Sequence, residues 1–106
     1  MSTTDVFAAL SDPTRRRLVD WLSEEGSGTA TGFAARLSIS RQAVSQHLNE
    51  LEKAGLVRSE RVGRETRYSL EPEPLIEAAG WLMKRSDVWD RTLQRLKEHV
   101  ESGGDS

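Results

Sequence analysis

Cysteine is absent from this chain of 106 residues, which excludes disulfides, thiolate metal ligands, sulfur-based redox sensing and cysteine nucleophiles together. Histidine is nearly as scarce. His47 and His99 fall on separate predicted helices, and neither has a nucleophile constellation around it. A zinc site needs several well-placed nitrogen or sulfur ligands, so no metal, no cofactor and no catalytic residue is expected, and the chain is not read as an enzyme. Long apolar runs are also missing. Nothing approaches the roughly eighteen consecutive apolar residues of a membrane span, and the start, MSTTDVFAAL, lacks the basic residues and apolar stretch of a secretory signal. The expected location is the cytoplasm, with no membrane partner.

Excess positive charge is lacking too, since the net charge is −2. The deficit is uneven: residues 1–70 hold ten Lys/Arg and nine Asp/Glu, whereas residues 71–106 hold five and eight. Any contact with nucleic acid must therefore depend on local clusters such as Arg58, Arg61, Arg64 and Arg67 rather than on bulk charge.

What is present is clear punctuation and one informative succession. Asp12-Pro13 reads as a helix cap followed by proline at the first helical position, and Gly26-Ser27-Gly28 ends that helix. A shorter helix with Val6, Phe7 and Leu10 precedes it. Thr31 then opens a helix bearing Phe33, Ala34 and Leu37, Ser38-Ile39 forms a turn, and Ser40 caps a helix running to Ala54 with Gly55 just beyond it. Leu56 to Val62 and Thr66 to Leu70 alternate as two strands with Gly63-Arg64 at their tip. Pro72 and Pro74 separate this hairpin from a long last helix. The predicted organisation is one mainly helical winged helix-turn-helix domain over 1–102: helix-turn-helix 31–54, wing hairpin 56–70, dimerisation helix 74–101. A disordered tail, 103–106, follows.

On the helix from Ser40 to Ala54, a step of about 100° per residue gathers Val44, Leu48 and Leu51 on one side, with His47 flanking them. Gln42, Ser45, Gln46, Asn49 and Lys53 fall opposite. Amide side chains suit paired hydrogen bonds to adenine, Ser serves base or phosphate, and Arg41 at the helix start reaches phosphate or guanine. Ser40, Arg41, Gln42, Ser45, Gln46 and Asn49 are therefore candidates for double-stranded DNA contact. So are Arg61, Arg64 and Arg67 on the wing, which can lie along the backbone or enter the minor groove. The alternative is a winged-helix protein-interaction module without DNA binding, which would call for a neutral wing and an apolar outward face.

The stretches FAALSDPTRRRLVDWL and SRQAVSQHLNELEKAGLVRSERVGRETRYSL resemble the opening signature, recognition helix and wing of ArsR-like (ArsR/SmtB) winged helix-turn-helix regulators. The resemblance covers about residues 5–100. It implies a homodimeric bacterial transcription regulator, usually a repressor released by an effector, with Gln42, Ser45, Gln46 and Asn49 at base-facing positions. Two departures stand out. Ser38 occupies a position often held by glycine, which costs about 1 kcal/mol if that residue is left-handed. Metal-sensing members carry cysteines on the helix corresponding to Thr31–Leu37, and this chain has none. A second metal design of the family uses acidic residues and histidines of the terminal helices. Here Asp87, Asp90, Glu98, His99 and Glu101 supply a single histidine without the matching spacing.

Leu75, Ala79, Leu82, Ser86, Trp89, Leu93, Leu96 and Val100 lie alternately four and three residues apart, a heptad seam. One small core cannot cover about 40 Å of apolar stripe. A two-fold homodimer through this seam, joined by Val6, Phe7 and Leu10, is expected. Trp81 and Val88 lie off the seam and close either the core or a small-molecule pocket. The expected partners are an imperfectly palindromic DNA operator, a second copy of the chain, and an unidentified small-molecule effector.

Overall fold

The structure, a computed structural model, describes residues 2–103, the side chains of 88, 89, 102 and 103 excepted. Two short-range caps start the chain. In α1 (Thr3–Ala9) the Ser2 hydroxyl accepts from the Asp5 N–H while the Asp5 carboxylate accepts from the Ser2 N–H, a reciprocal capping box. In α2 (Pro13–Glu25) the Asp12 carboxylate accepts from the N–H groups of Thr14 at 2.8 Å and Arg15 at 3.1 Å. Gly26, at φ 87°, ends α2 in a conformation glycine tolerates.

The following residues depart from the expected turn. Ser27–Thr29 form a strand, β1, that pairs antiparallel with β3 (Glu65–Leu70), Gly28 standing opposite Tyr68. Then come α3 (Ala30–Leu37), capped by Thr29, and α4 (Arg41–Lys53), capped by Ser40. Between them Ser38 adopts φ 57° and ψ 36°, the left-handed conformation anticipated for this position. β2 (Val57–Val62) pairs with β3 from Val57↔Leu70 to Val62↔Glu65, giving a three-stranded sheet of order β1-β3-β2. Gly63 at φ 63°, with Arg64 beside it, closes the hairpin, as in two-residue turns with glycine at the first central position.

Leu18 and Leu22 of α2, Phe33 of α3, Val44, Leu48 and Leu51 of α4, and Leu56 form one buried core. Val6 belongs to it as well, only 2% exposed. It is therefore unavailable as a subunit contact, which corrects the expectation for that residue: α1 spends its best apolar side chain closing its own subunit. Phe7, Leu10 and Leu75 are half-buried against the same core.

α5 spans Pro72–Gly103, beginning earlier than expected because both prolines sit within its first turn, where no backbone donor is lost. It packs on α1 through Ala78 and an edge-to-face contact of Phe7 with Trp81, ring centroids 5.6 Å apart. Trp81 is 42% exposed and lies under the Arg85 guanidinium. At that exposure it stands outside the buried core. Beyond Ala78 no described residue is buried. Leu82, Leu93, Leu96 and Val100 are each more than half exposed, and Ala79 is exposed with them. The side chains of Trp89 and Val88 lie outside the described residues, as do residues 104–106 of the predicted tail. Residue 103 ends the helix. The molecule extends 72 × 28 × 21 Å with a radius of gyration of 19.6 Å, against about 13 Å for a compact chain of this length. Among the described residues no helix is long and apolar enough to cross a membrane.

Candidate nucleic-acid interface

Two elements carry the candidate residues, and the core fixes both. Val44, Leu48 and Leu51 are fully buried, so the rotation of α4 about its axis is set. Arg41, Gln42, Gln46 and Asn49 then stand exposed on the opposite side, with Ser45 half-exposed. The Ser40 hydroxyl accepts from the Ala43 N–H at 3.0 Å. It serves the cap, and what it retains toward a ligand is its own O–H.

The wing reaches the start of this helix. Arg41 and Ser45 share a cleft of about 230 Å³ with Arg61 and Arg64 of the wing, lined also by Thr29, Thr31, Glu65, Thr66 and Tyr68. Three guanidinium-bearing side chains against the one Glu65 carboxylate, with several hydroxyls, leave a net positive lining that accepts an anion such as a phosphate. Burial pushes the Tyr68 hydroxyl's pKa up, with the Glu52 carboxylate adding to it, so it enters this cleft as a neutral donor. Thr29, Thr31 and Tyr68 were not singled out by the sequence. Thr29 reaches the cleft from β1, Thr31 from the start of α3 and Tyr68 from β3, and no local signal in the sequence brings the three together.

The wing arginines divide by their partners. Arg67 is half-buried, with Nε and Nη2 donating to the Ser27 hydroxyl at 3.3 and 3.1 Å and Nη1 to Glu65 at 3.3 Å. Its guanidinium ties β1 to β3 and does not line the cleft. The third strand thus supplies Arg67 with partners invisible along the chain. Arg61 donates to the Gly63 carbonyl at 3.3 Å, and Arg64 is exposed at the tip. Arg58 pairs with Glu71 at 3.1 Å.

Behind the interface a second cluster stiffens the entry to α3. Trp21 and Phe33 stack with centroids 5.6 Å apart, and Arg36 lies 4.0 Å over the Trp21 ring while bridging to Glu25 at 2.7 Å. Residues 30–37 bear no metal-ligating side chain. Among the described residues no three of His, Cys, Asp or Glu are grouped to hold a metal ion.

A family profile described as "Helix-turn-helix domain" matches residues 10–60. The chain is similar to the Transcriptional repressor SdpR of Bacillus subtilis, 36% identical over 89 residues, covering 84% of this chain and 98% of that protein. It is 38% identical over 103 residues to the HTH-type transcriptional regulator Rv2034 of Mycobacterium tuberculosis, covering 93% of this chain and 89% of that one. Among solved structures, an ArsR-like transcriptional regulator from Rhodococcus sp. RHA1 superposes with a TM-score of 0.73 at 42% identity, covering 91% of this chain and 90% of the other.

Proposed function

The chain belongs to the ArsR-like family of helix-turn-helix transcriptional regulators, and from that premise we propose that it acts as a homodimeric repressor reading a palindromic operator without a metal signal. The observation that carries this is the cleft joining the start of α4 to the wing tip. Seated on a duplex, the exposed amides Gln42, Gln46 and Asn49 meet base edges in the major groove. Arg41, Arg61 and Arg64 hold the flanking phosphates. α4 is the recognition helix and α3 its support. The interaction-module alternative calls for an apolar outward face on α4, and the exposed face there is polar throughout.

Repression follows the name of the relative SdpR. Two copies joined through the open side of α5 would present two recognition helices to successive major grooves, so half-sites about one helical turn, roughly 34 Å, apart are expected. With no fitting metal donor set, the switch falls to an organic ligand near the terminal helices, a partner protein, or the regulator's own abundance. A ligand acting there must bind the free dimer more tightly than the DNA-bound one, since equal affinity shifts nothing. The reading contains no catalytic step, and a protein of this kind acts in the cytoplasm where its DNA is.

Selection of duplexes from a random library by the purified protein, followed by sequencing, tests the reading. Enrichment of an inverted repeat with that spacing is expected. Recovery of no enriched sequence would overturn sequence-specific binding.

A further inference from the structure

Between α1 and the second half of α4 lies a cleft of about 280 Å³ lined by Asp5, Ala9, Arg15, Glu50 and Lys53, and one side chain spans the gap. Arg15 Nε donates to the Ala9 carbonyl at 2.6 Å, and Nη2 makes a longer contact, 3.5 Å, with the Ala8 carbonyl. Both carbonyls belong to the last turn of α1, where a cation is favoured; that of Ala8 also accepts from the Ser11 hydroxyl at 2.6 Å. The third arm of the same guanidinium, Nη1, lies 3.4 Å from Nδ1 of His47 on α4. The Arg15 backbone N–H is meanwhile held by the Asp12 carboxylate, so the stem of the side chain is fixed at the start of α2. One planar fork thus joins the end of α1, the start of α2 and the flank of the recognition helix. α1 is also the element on which α5 rests, through Phe7 and Trp81.

Resting on the DNA-binding reading above, we infer that Arg15 is a positioning residue for the recognition helix, acting through His47 to hold α4 in the orientation that its outward amides require. His47 stands on the boundary of the buried stripe, one position from the outward-facing Gln46. A contact there adds, at the edge of the stripe, to the hold that the buried Val44, Leu48 and Leu51 already exert on the rotation of α4 about its axis. Loss of the contact therefore degrades base readout more than general attraction to DNA, because phosphate contacts tolerate small displacements and paired base contacts do not. The donor to Nδ1 is a guanidinium, so His47 acts as the acceptor with its own ring proton on Nε2.

The test compares binding of a labelled duplex carrying the selected sequence with binding of a scrambled duplex, read by fluorescence anisotropy on the full chain, with thermal unfolding followed in parallel. His47→Leu and Arg15→Gln are each expected to lower the selected-to-scrambled ratio about three- to tenfold, and the double variant to lower it no further than the worse single one. His47→Gln, whose amide oxygen can accept from Arg15, is expected to keep the ratio. An unchanged ratio in His47→Leu, losses that simply add in the double variant, or equal losses in His47→Gln and His47→Leu would each overturn the role of Arg15 while leaving DNA recognition standing. Equal binding of both duplexes by the natural protein would overturn specific recognition and this role with it.

Discussion

Gly28 is the residue at which the packing leaves least room. A Cβ built there would stand 2.2 Å from the tip of the Phe33 ring, and that ring is only 2% exposed and stacked on Trp21. Gly28→Ala is expected to lower stability by about 1–3 kcal/mol, measured by urea unfolding, and Phe33→Leu to recover part of the loss; no loss in the single variant would show that the ring can step aside. In the interface the expected division is between reading and holding. Gln46→Ala should cost about 1–3 kcal/mol on the selected operator and spare scrambled DNA. Arg64→Ala should weaken both duplexes similarly and reduce the salt slope by about one. Similar behaviour of the two variants on both duplexes would contradict that division. At this scale the sequence located the outward face of α4 well, because helical periodicity projects directly onto burial. It did not reveal the tie of Arg67 to Ser27, forty positions away.

Among the elements, α2 illustrates a cap legible from two adjacent residues. Hydrogen bonds from the Arg15 and Thr14 N–H groups, with the Arg15 charge helping, hold the Asp12 carboxyl below the ordinary carboxylate pKa against a desolvation that raises it. A carboxyl depressed in the folded state stabilises fully above its unfolded pKa of about 4 and loses that contribution as pH falls through the lowered folded value. Asp12→Ala should therefore cost about 1 kcal/mol at neutral pH. Below pH 4 the gap between natural and variant proteins should narrow, as thermal melts across an acid series would record; a gap independent of pH would mean the charge plays no part. β1 illustrates the opposite case. Three small residues between the Gly26 that ends α2 and the start of α3 at Ala30 carry no strand periodicity, and only the vacant edge of β3 converts them into a strand.

For the whole molecule, α5 sets the shape. Its outer half projects from a core that ends at Ala78, and Leu82, Leu93, Leu96 and Val100 remain open along it. If a second copy covers this side, Leu93→Glu places an unpaired charge in the contact. Sedimentation equilibrium at micromolar concentration should show a dimer for the natural chain and a shift toward monomer for the variant. A natural chain that sediments as a monomer would refute the pairing. Regulation follows from composition at the same scale: zinc, cadmium, arsenite and peroxide are expected to leave operator affinity unchanged, since neither thiol nor matched donor set exists. A reversible, stoichiometric loss of anisotropy on titrating zinc or peroxide into the operator complex would refute that.

The order of helices, the Asp12 and Ser40 caps, the buried stripe of α4 and the two-stranded wing were determined by the sequence alone, because each depends on residues within a turn or two of one another, where spacing and capping chemistry act directly. The tertiary structure decided the rest. Val6 went to the core and not to a subunit contact because it packs inward with the buried residues of its own subunit. Arg67 was drawn into the sheet, Thr29, Thr31 and Tyr68 were brought to the lining of the cleft, and Arg15 was placed between α1 and α4. In every one of these cases the deciding partner lies on another element. Which side chains meet across elements depends on how cores pack and which sheet edges stay vacant, and neither leaves a periodic trace along the chain.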